Sequence, residues 1–282
     1  MKLGVFTVSI PEWEPVEALE KLSRLGYDGV EWRITADAGD HSKPSFWSGN
    51  RCGMTAEELL ARAPALKTAA QRYHMSMPSL GTYMDCDDLP AVETGMRAAV
   101  ALGASSLRVG PGYFNTKPKA EPYPAQLELA RTRYVQVARL AAKYGVRALI
   151  ETHPNQIAPS TALAVAVLKD LDPRHVGIMW DPGNQVMEGR EKTAMALQTA
   201  GKLLAEVHVK NMRFDLARGE DGRTIFNPAS APVDAGVVDW PTVMPELKAA
   251  GYDGWFFFED FCTELPMEER LRHNLEFFRK LV

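Results

Sequence analysis

Four residues in the second half of the chain have the types to hold a divalent ion and share one local setting. Glu151 closes VRALIE, Asp181 closes VGIMWD, His208 closes AEVH and Glu259 closes GWFFFE. Each run is a short apolar stretch of the kind that forms a buried parallel strand. If such strands close into a barrel, their C-terminal ends open onto one face, and residues far apart in sequence converge there. Three carboxylates and one imidazole make a hard, oxygen-rich donor set without a thiolate. Mn²⁺ is the expected ion, with Mg²⁺, Co²⁺ and Zn²⁺ left open.

The elements that would position these residues alternate along the chain. Strand candidates are 3–10, 28–34, 76–83, 106–110, 146–151, 175–181, 206–211 and 254–260. Helical patterns fall at 16–26, 55–72, 88–102, 125–144, 160–171, 187–200, 240–250 and 267–281. Alternation of this kind implies βαβ units, and eight of them imply a closed α/β architecture, the (β/α)8 TIM barrel. LSRLGYDGVE and LKAAGYDGWF repeat a helix, a turn and a strand entry, with Gly26 and Gly251 as C-cap candidates. The polar stretch 35–53 is too long for a plain connection, and 35–53 and 212–238 are candidate lids over the strand ends.

Composition restricts the function classes. The chain has 282 residues, 46% of them hydrophobic, and a formal net charge of -4. That length suits one barrel domain over 1–282, since such barrels run to about 250 residues. The acidic balance gives no support for a nucleic-acid or anionic-membrane partner, and no apolar run reaches the length of a membrane span. Cys52, Cys86 and Cys262 are widely spaced and form no CxxC, so neither a disulfide framework nor a zinc knuckle is expected. The apolar run before Pro11 is too short for a signal peptide, and a cytoplasmic protein is expected.

The runs LGVFT, GYDGVE, IETHPN, MWDPGN, VHVKN, VDWPTVMPELKAAGYDG and FFFED together resemble the sugar isomerase and epimerase superfamily of xylose isomerase-like TIM barrels. The resemblance extends over essentially the whole chain. It implies a metal held by Glu151, Asp181, His208 and Glu259, in that order after strands five to eight. It also implies that Glu151 and Glu259 serve as an acid/base pair. Moving a proton beside a ketone creates an enediolate, which a divalent ion stabilises as a Lewis acid, while a base takes the carbon-bound proton. Two further groups compete for proton transfer. His153 and Lys210 each lie two residues beyond a ligand, on the same face of a continuing strand. His153 is a candidate general base, and Lys210 a candidate proton donor or oxyanion partner. Asn155, Asn184, Asn211 and Arg213 could reach sugar hydroxyls from the same rim. Glu31 could bind a hydroxyl or pair with Arg33 or Arg108. Trp13, Trp32 and Trp47 are candidate walls of a sugar site.

The chain also departs from the superfamily pattern. Many members carry Asp-x-x-His after strand six, where this chain has Asp181-Pro182-Gly183-Asn184. Without that histidine the three-metal cluster of the apurinic endonucleases cannot form, and nuclease activity is not expected. Ketose epimerases have a further Glu six residues after the first ligand, where this chain has Ile157. The resulting expectation is a metal-dependent isomerase or epimerase acting on a sugar or keto-sugar through an enediolate. The alternatives are a lyase acting on a 3-keto sugar or inosose with His153 as base, and a noncatalytic sugar-binding barrel. A homo-oligomer is compatible with the sequence, which specifies no symmetry.

Overall fold

The computed structural model of the protein describes residues 1–37 and 39–282. In chain order its strands are β1 (Lys2–Phe6), β2 (Gly29–Ile34), β3 (Ser76–Thr82), β4 (Ser106–Arg108), β5 (Arg147–Glu151), β6 (Val176–Trp180), β7 (Leu204–Val209), β8 (Asn211–Arg218), β9 (Thr224–Ala231) and β10 (Trp255–Phe258). β1 pairs in parallel with both β2 and β10, and the ring closes in the order β1-β10-β7-β6-β5-β4-β3-β2. The helices are α1 (Pro15–Leu25), α2 (Ala56–Tyr73), α3 (Leu89–Leu102), α4 (Tyr123–Tyr144), α5 (Thr161–Leu168), α6 (Pro182–Met187), α7 (Thr193–Ala200), α8 (Trp240–Ala249) and α9 (Met267–Phe278). The expected (β/α)8 barrel is the fold.

Local chemistry sets the boundaries. Thr55 and Glu58 form a reciprocal capping box that starts α2. Gly26 ends α1 in the left-handed region at φ 100°, which allows the chain to turn straight into β2. The strand expected over 3–10 stops at Phe6 and gives way to a 3-10 turn, Thr7–Ser9. There the Ser9 hydroxyl donates to the Phe6 carbonyl at 2.9 Å and the Thr7 hydroxyl accepts from the Arg33 amide at 2.8 Å, so side chains take up backbone groups. Of the helix expected over 187–200 only Thr193–Ala200 forms, as α7, whereas a separate helix, α6, opens immediately after β6 with Asp181 as its cap and ends at Met187. The segment 212–238 is largely an antiparallel hairpin, β8 against β9. In the 35–53 segment, Asp37 gathers the amides of Gly39, Gly49 and Asn50 at 2.8–2.9 Å and faces Arg33 at 3.3 Å.

Packing divides the interior into two regions. Apolar faces of strands and helices form the main core outside the barrel wall, whereas Phe6, Val8 and Phe257 form a small separate cluster. A Cβ at Gly81 would lie 2.3 Å from the Phe6 ring, so this glycine makes room for it. Barrel interiors are usually filled by bulky branched side chains. Here Glu31, Ser79, Ser106 and Glu206 are buried and hydrogen-bonded across the barrel. No helix among the described residues is long and apolar enough to cross a membrane. The three cysteines are buried and form no disulfide among the described residues.

Candidate metal centre

Each of the four ligand candidates reaches the site from a different strand. Glu151 is the last residue of β5, Asp181 follows β6, His208 lies in β7 and Glu259 follows β10. All four are buried, and one donor atom from each lies within 4.8 Å of the others. His208 Nδ1 faces Glu151 Oε1 at 3.4 Å, Glu259 Oε2 at 3.7 Å and Asp181 Oδ2 at 3.8 Å. Those separations suit donors bound at about 2.0–2.2 Å to one ion.

The residues fit a metal by a second criterion. His208 Nδ1 and Asp181 Oδ2 are buried and have no hydrogen-bond partner among the described residues, although Lys210 Nζ lies 2.8 Å from that carboxylate oxygen. A buried ring nitrogen without a partner is costly, and one aimed at three carboxylates is explained by a bound cation. On its other side the His208 ring meets Glu31 Oε2 through Nε2 at 2.7 Å. With an ion bound, that pairing would keep the proton on Nε2 and leave the Nδ1 lone pair for a ligand bond, the arrangement that orients metal-binding histidines. Glu151, Asp181, His208 and Glu259 would hold the ion.

Electrostatics separate the three carboxylates. Burial opposes ionisation of Glu151 most strongly, yet Arg108 and His208 outweigh it and hold the carboxyl well below the usual range. Arg108 Nη1 bonds Glu151 Oε2 directly, and its Nε donates to the Thr82 carbonyl at 2.7 Å. For Asp181, burial together with the charges of Glu151 and Glu259 outweighs Lys210, and the carboxyl is pushed up to about 6. Burial also opposes the charge on Glu259, but Lys210 brings its carboxyl below the usual value. Burial alone would favour a neutral lysine; Asp181 and Glu259 reverse this and keep Lys210 protonated.

The remaining sequence candidates are distributed unevenly. Lys210 is brought into the cluster, bonded to Glu259. His153 lies partly buried at the rim, with Nδ1 2.8 Å from the Pro154 carbonyl. Asn184 donates from Nδ2 to Glu151 Oε1 at 3.0 Å, so it holds a ligand. Asn155 is exposed at φ 64°, its amide tied to Glu188. Asn211 is used internally, pinning the carbonyls of Val233 and Val238. Arg213 is half-buried and paired with Asp215 and Glu264. Trp47 is 57% exposed, its ring 5.0 Å from Phe261, over which Lys210 Nζ sits at 5.6 Å. Trp13 and Trp32 are instead packed into the hydrophobic core. Trp32 alternates with Glu31 and Arg33, so it points away from the barrel interior, toward the helices. The expected pairing of Glu31 with Arg33 or Arg108 is replaced: Glu31 binds His208, Arg33 binds Asp37 and Arg108 binds Glu151.

Sequence reasoning did not find the Arg108 clamp on Glu151, nor Ser79, Ser106 and Glu206. The alternation Glu206-x-His208-x-Lys210 could have shown Glu206 on the inward face of β7. β4 and β5 are consecutive and paired, with Arg108 opposite Leu149, but their apolar runs do not show that the Arg108 side chain reaches two residues on to Glu151.

Comparison with known proteins agrees with this architecture. An inosose dehydratase of Geobacillus thermodenitrificans is 27% identical over 142 residues, 47% of this chain and 47% of that protein. The chain thus spans about half the length of that relative. A solved 3-keto-D-glucoside 4-epimerase of E. coli superposes with a TM-score of 0.75 at 16% identity, covering 99% of each chain. The IOLI protein, solved with a zinc atom bound, superposes with a TM-score of 0.75 at 16% identity over 100% of this chain and 98% of that one. At such identities the two structures speak for the fold alone. Residues 19–281 match the sequence profile of the xylose isomerase-like TIM barrel, and the chain belongs to that family.

Proposed function

We propose that the protein is a divalent-metal-dependent isomerase or epimerase that enolises a sugar or keto-sugar, acting as one barrel domain. The observation that carries this reading is the buried cluster of Glu151, Asp181, His208 and Glu259 at the strand ends, with the unpartnered Nδ1 of His208. A divalent ion held there supplies Lewis-acid stabilisation of the negative charge that develops on the substrate oxygens. Mn²⁺ remains the expected ion. The chain's own residues handle the protons. Glu259 takes the proton from the carbon beside the ketone, and the Lys210 ammonium against it stabilises the charge left on oxygen. With its Nδ1 proton given to the Pro154 carbonyl, His153 keeps the Nε2 lone pair free to act as a second base. Trp47 walls the rim, and Asn155 and Arg213 reach hydroxyls from it.

A specific observation favours elimination as the second reading. Epimerisation by a pair of glutamates requires each to exchange a proton, but both oxygens of Glu151 are engaged, Oε2 by Arg108 and Oε1 by Asn184. Glu151 then serves as a ligand only, and proton transfer is confined to Glu259, His153 and Lys210. One base and one acid suffice to remove water from a keto-inositol or 3-keto sugar, and the partial match to an inosose dehydratase points the same way.

The test is NMR of metal-loaded protein in D₂O with ketoses, inososes and 3-keto glycosides. Deuterium should enter the carbon beside the ketone, and chelation or Glu259→Gln should abolish the exchange. Epimeric products would support the first reading, and an unsaturated product the second. Metal-loaded protein that exchanges no proton in any of these substrates would overturn both.

A further inference from the structure

Beneath the metal cluster the barrel interior carries a chain of polar contacts that the proposed reaction does not use. Glu31 Oε2 meets His208 Nε2 at 2.7 Å, and Ser79 Oγ lies 3.2 Å from Glu31 Oε1 and 2.8 Å from Glu206 Oε2. Ser106 Oγ donates to Glu206 Oε1. All five residues are buried, none more than 5% exposed. A layer of hydroxyls and carboxylates in place of branched aliphatics is expensive unless every group is satisfied.

The backbone is also adapted to this layer. The register of β2 against β3 shifts between Gly29 and Glu31: Gly29 pairs with Ser76, yet Glu31 pairs with Ser79. One extra residue on β3 therefore brings Ser79, rather than Pro78, opposite Glu31. A second shift lies between β6 and β7, where Ile178 pairs with Leu204 and Met179 with Glu206. There too one extra residue brings Glu206 into register. Bulges of this kind re-aim side chains and recur beside active sites. In this barrel each register shift falls immediately before a residue of the polar layer.

We infer that Ser79, with Glu206 and Ser106 behind it, is a positioning device for the metal centre: it holds Glu31 so that Glu31 fixes the His208 ring with Nδ1 turned into the ligand cluster. A serine hydroxyl has one proton to give. Shared between Glu31 Oε1 at 3.2 Å and Glu206 Oε2 at 2.8 Å, it tethers Glu31 Oε1 and leaves Oε2 to accept from His208 Nε2. On its other side the Ser79 hydroxyl is anchored by Glu206 Oε2, and Glu206 Oε1 in turn accepts from Ser106.

This inference rests on the metal-site reading, and the experiment separates the two. Zn²⁺ affinity of the full chain is measured by calorimetry for wild type, Ser79→Ala, Glu206→Met and Glu206→Gln. The His208 ring N–H of ¹⁵N-histidine-labelled, Zn²⁺-loaded protein is followed by NMR. Outer partners of metal-bound histidine typically change affinity by about 10–100-fold, so Ser79→Ala and Glu206→Met should weaken Zn²⁺ binding by about tenfold. Both should also shift the His208 Nε2 proton upfield and speed its exchange. The Glu206→Gln amide can donate to Ser79 and accept from Ser106, which leaves the Ser79 proton for Glu31, and should keep both readouts near wild type. Unchanged Zn²⁺ affinity and an unchanged His208 resonance in Ser79→Ala would overturn the inference, even if that variant melts at a lower temperature. If a variant fails to fold, wild-type protein still decides: Zn²⁺ bound through His208 Nε2, with the ring proton on Nδ1, overturns it. No Zn²⁺ binding by wild type would sink the metal-site reading itself.

Discussion

The two halves of the barrel ring do different work. β5, β6, β7 and β10 bring the four ligand candidates, whereas β2, β3 and β4 bring three of the groups that hold them: Glu31 on His208, Ser79 behind Glu31, and Arg108 on Glu151. The ligand half presents charge to an ion, and the supporting half fixes where that charge points and which oxygens are left over. Arg108 illustrates the difference. It is held against the Phe6 and Tyr83 rings at 5.6 and 4.6 Å and bonded to Thr82, so the position of Glu151 is set from outside its own strand.

If this division is right, damage to the ligand half should abolish metal binding, whereas damage to the supporting half should weaken it or act on stability. Asp181→Ala should remove Zn²⁺ binding measurable by calorimetry; retention of near-wild-type affinity would break the comparison at its first element. Arg108→Met should leave the buried Glu151 charge without its cation, costing about 3–5 kcal/mol of stability. At about 2–4 °C per kcal/mol, that loss would be plain in a melting curve. Glu31→Gln, which keeps the shape but weakens the acceptor for His208, should reduce Zn²⁺ affinity by about 10–100-fold while leaving some binding. Complete loss of binding in that variant would place Glu31 among the ligands.

The smallest effect concerns pH. Burial, followed by the charge of Glu31, pushes the Glu206 carboxyl up to about 7. Its folded value then lies above its unfolded one, so the folded protein binds this proton more tightly. The stabilisation is complete below about 4.5, the unfolded value, and is lost as pH rises through about 7. Glu206→Gln has no such proton to lose. In metal-free protein its melting temperature should gain on wild type between pH 5 and pH 8; a gap that is constant or narrows would show that Glu206 carries its charge in the fold without strain.

The hairpin and the barrel differ in how much of each the sequence announced. Eight barrel strands were visible because each is a compact apolar run between turn signals. β8 and β9 were hidden because both faces of the pair are largely exposed, and Asn211–Arg218 therefore lacks the alternation by which a half-buried strand is recognised. Trp32 shows the opposite error: an aromatic residue near a strand end suggested a substrate wall, whereas its position between Glu31 and Arg33 puts it on the other face of β2.

By itself the sequence determined the alternation of strands and helices, the barrel and the identity of the four residues that meet at its mouth. These follow from local apolar runs and from the rule that parallel strand ends share one face. Only the tertiary structure decided that Glu31 serves His208, that Arg108 and Asn184 occupy both oxygens of Glu151, and that Lys210 bridges Asp181 and Glu259. Those partnerships depend on which strands become neighbours, how two register shifts align them, and how burial turns nearby charges into fixed pairs. A chain of residue types does not carry that information until the barrel closes.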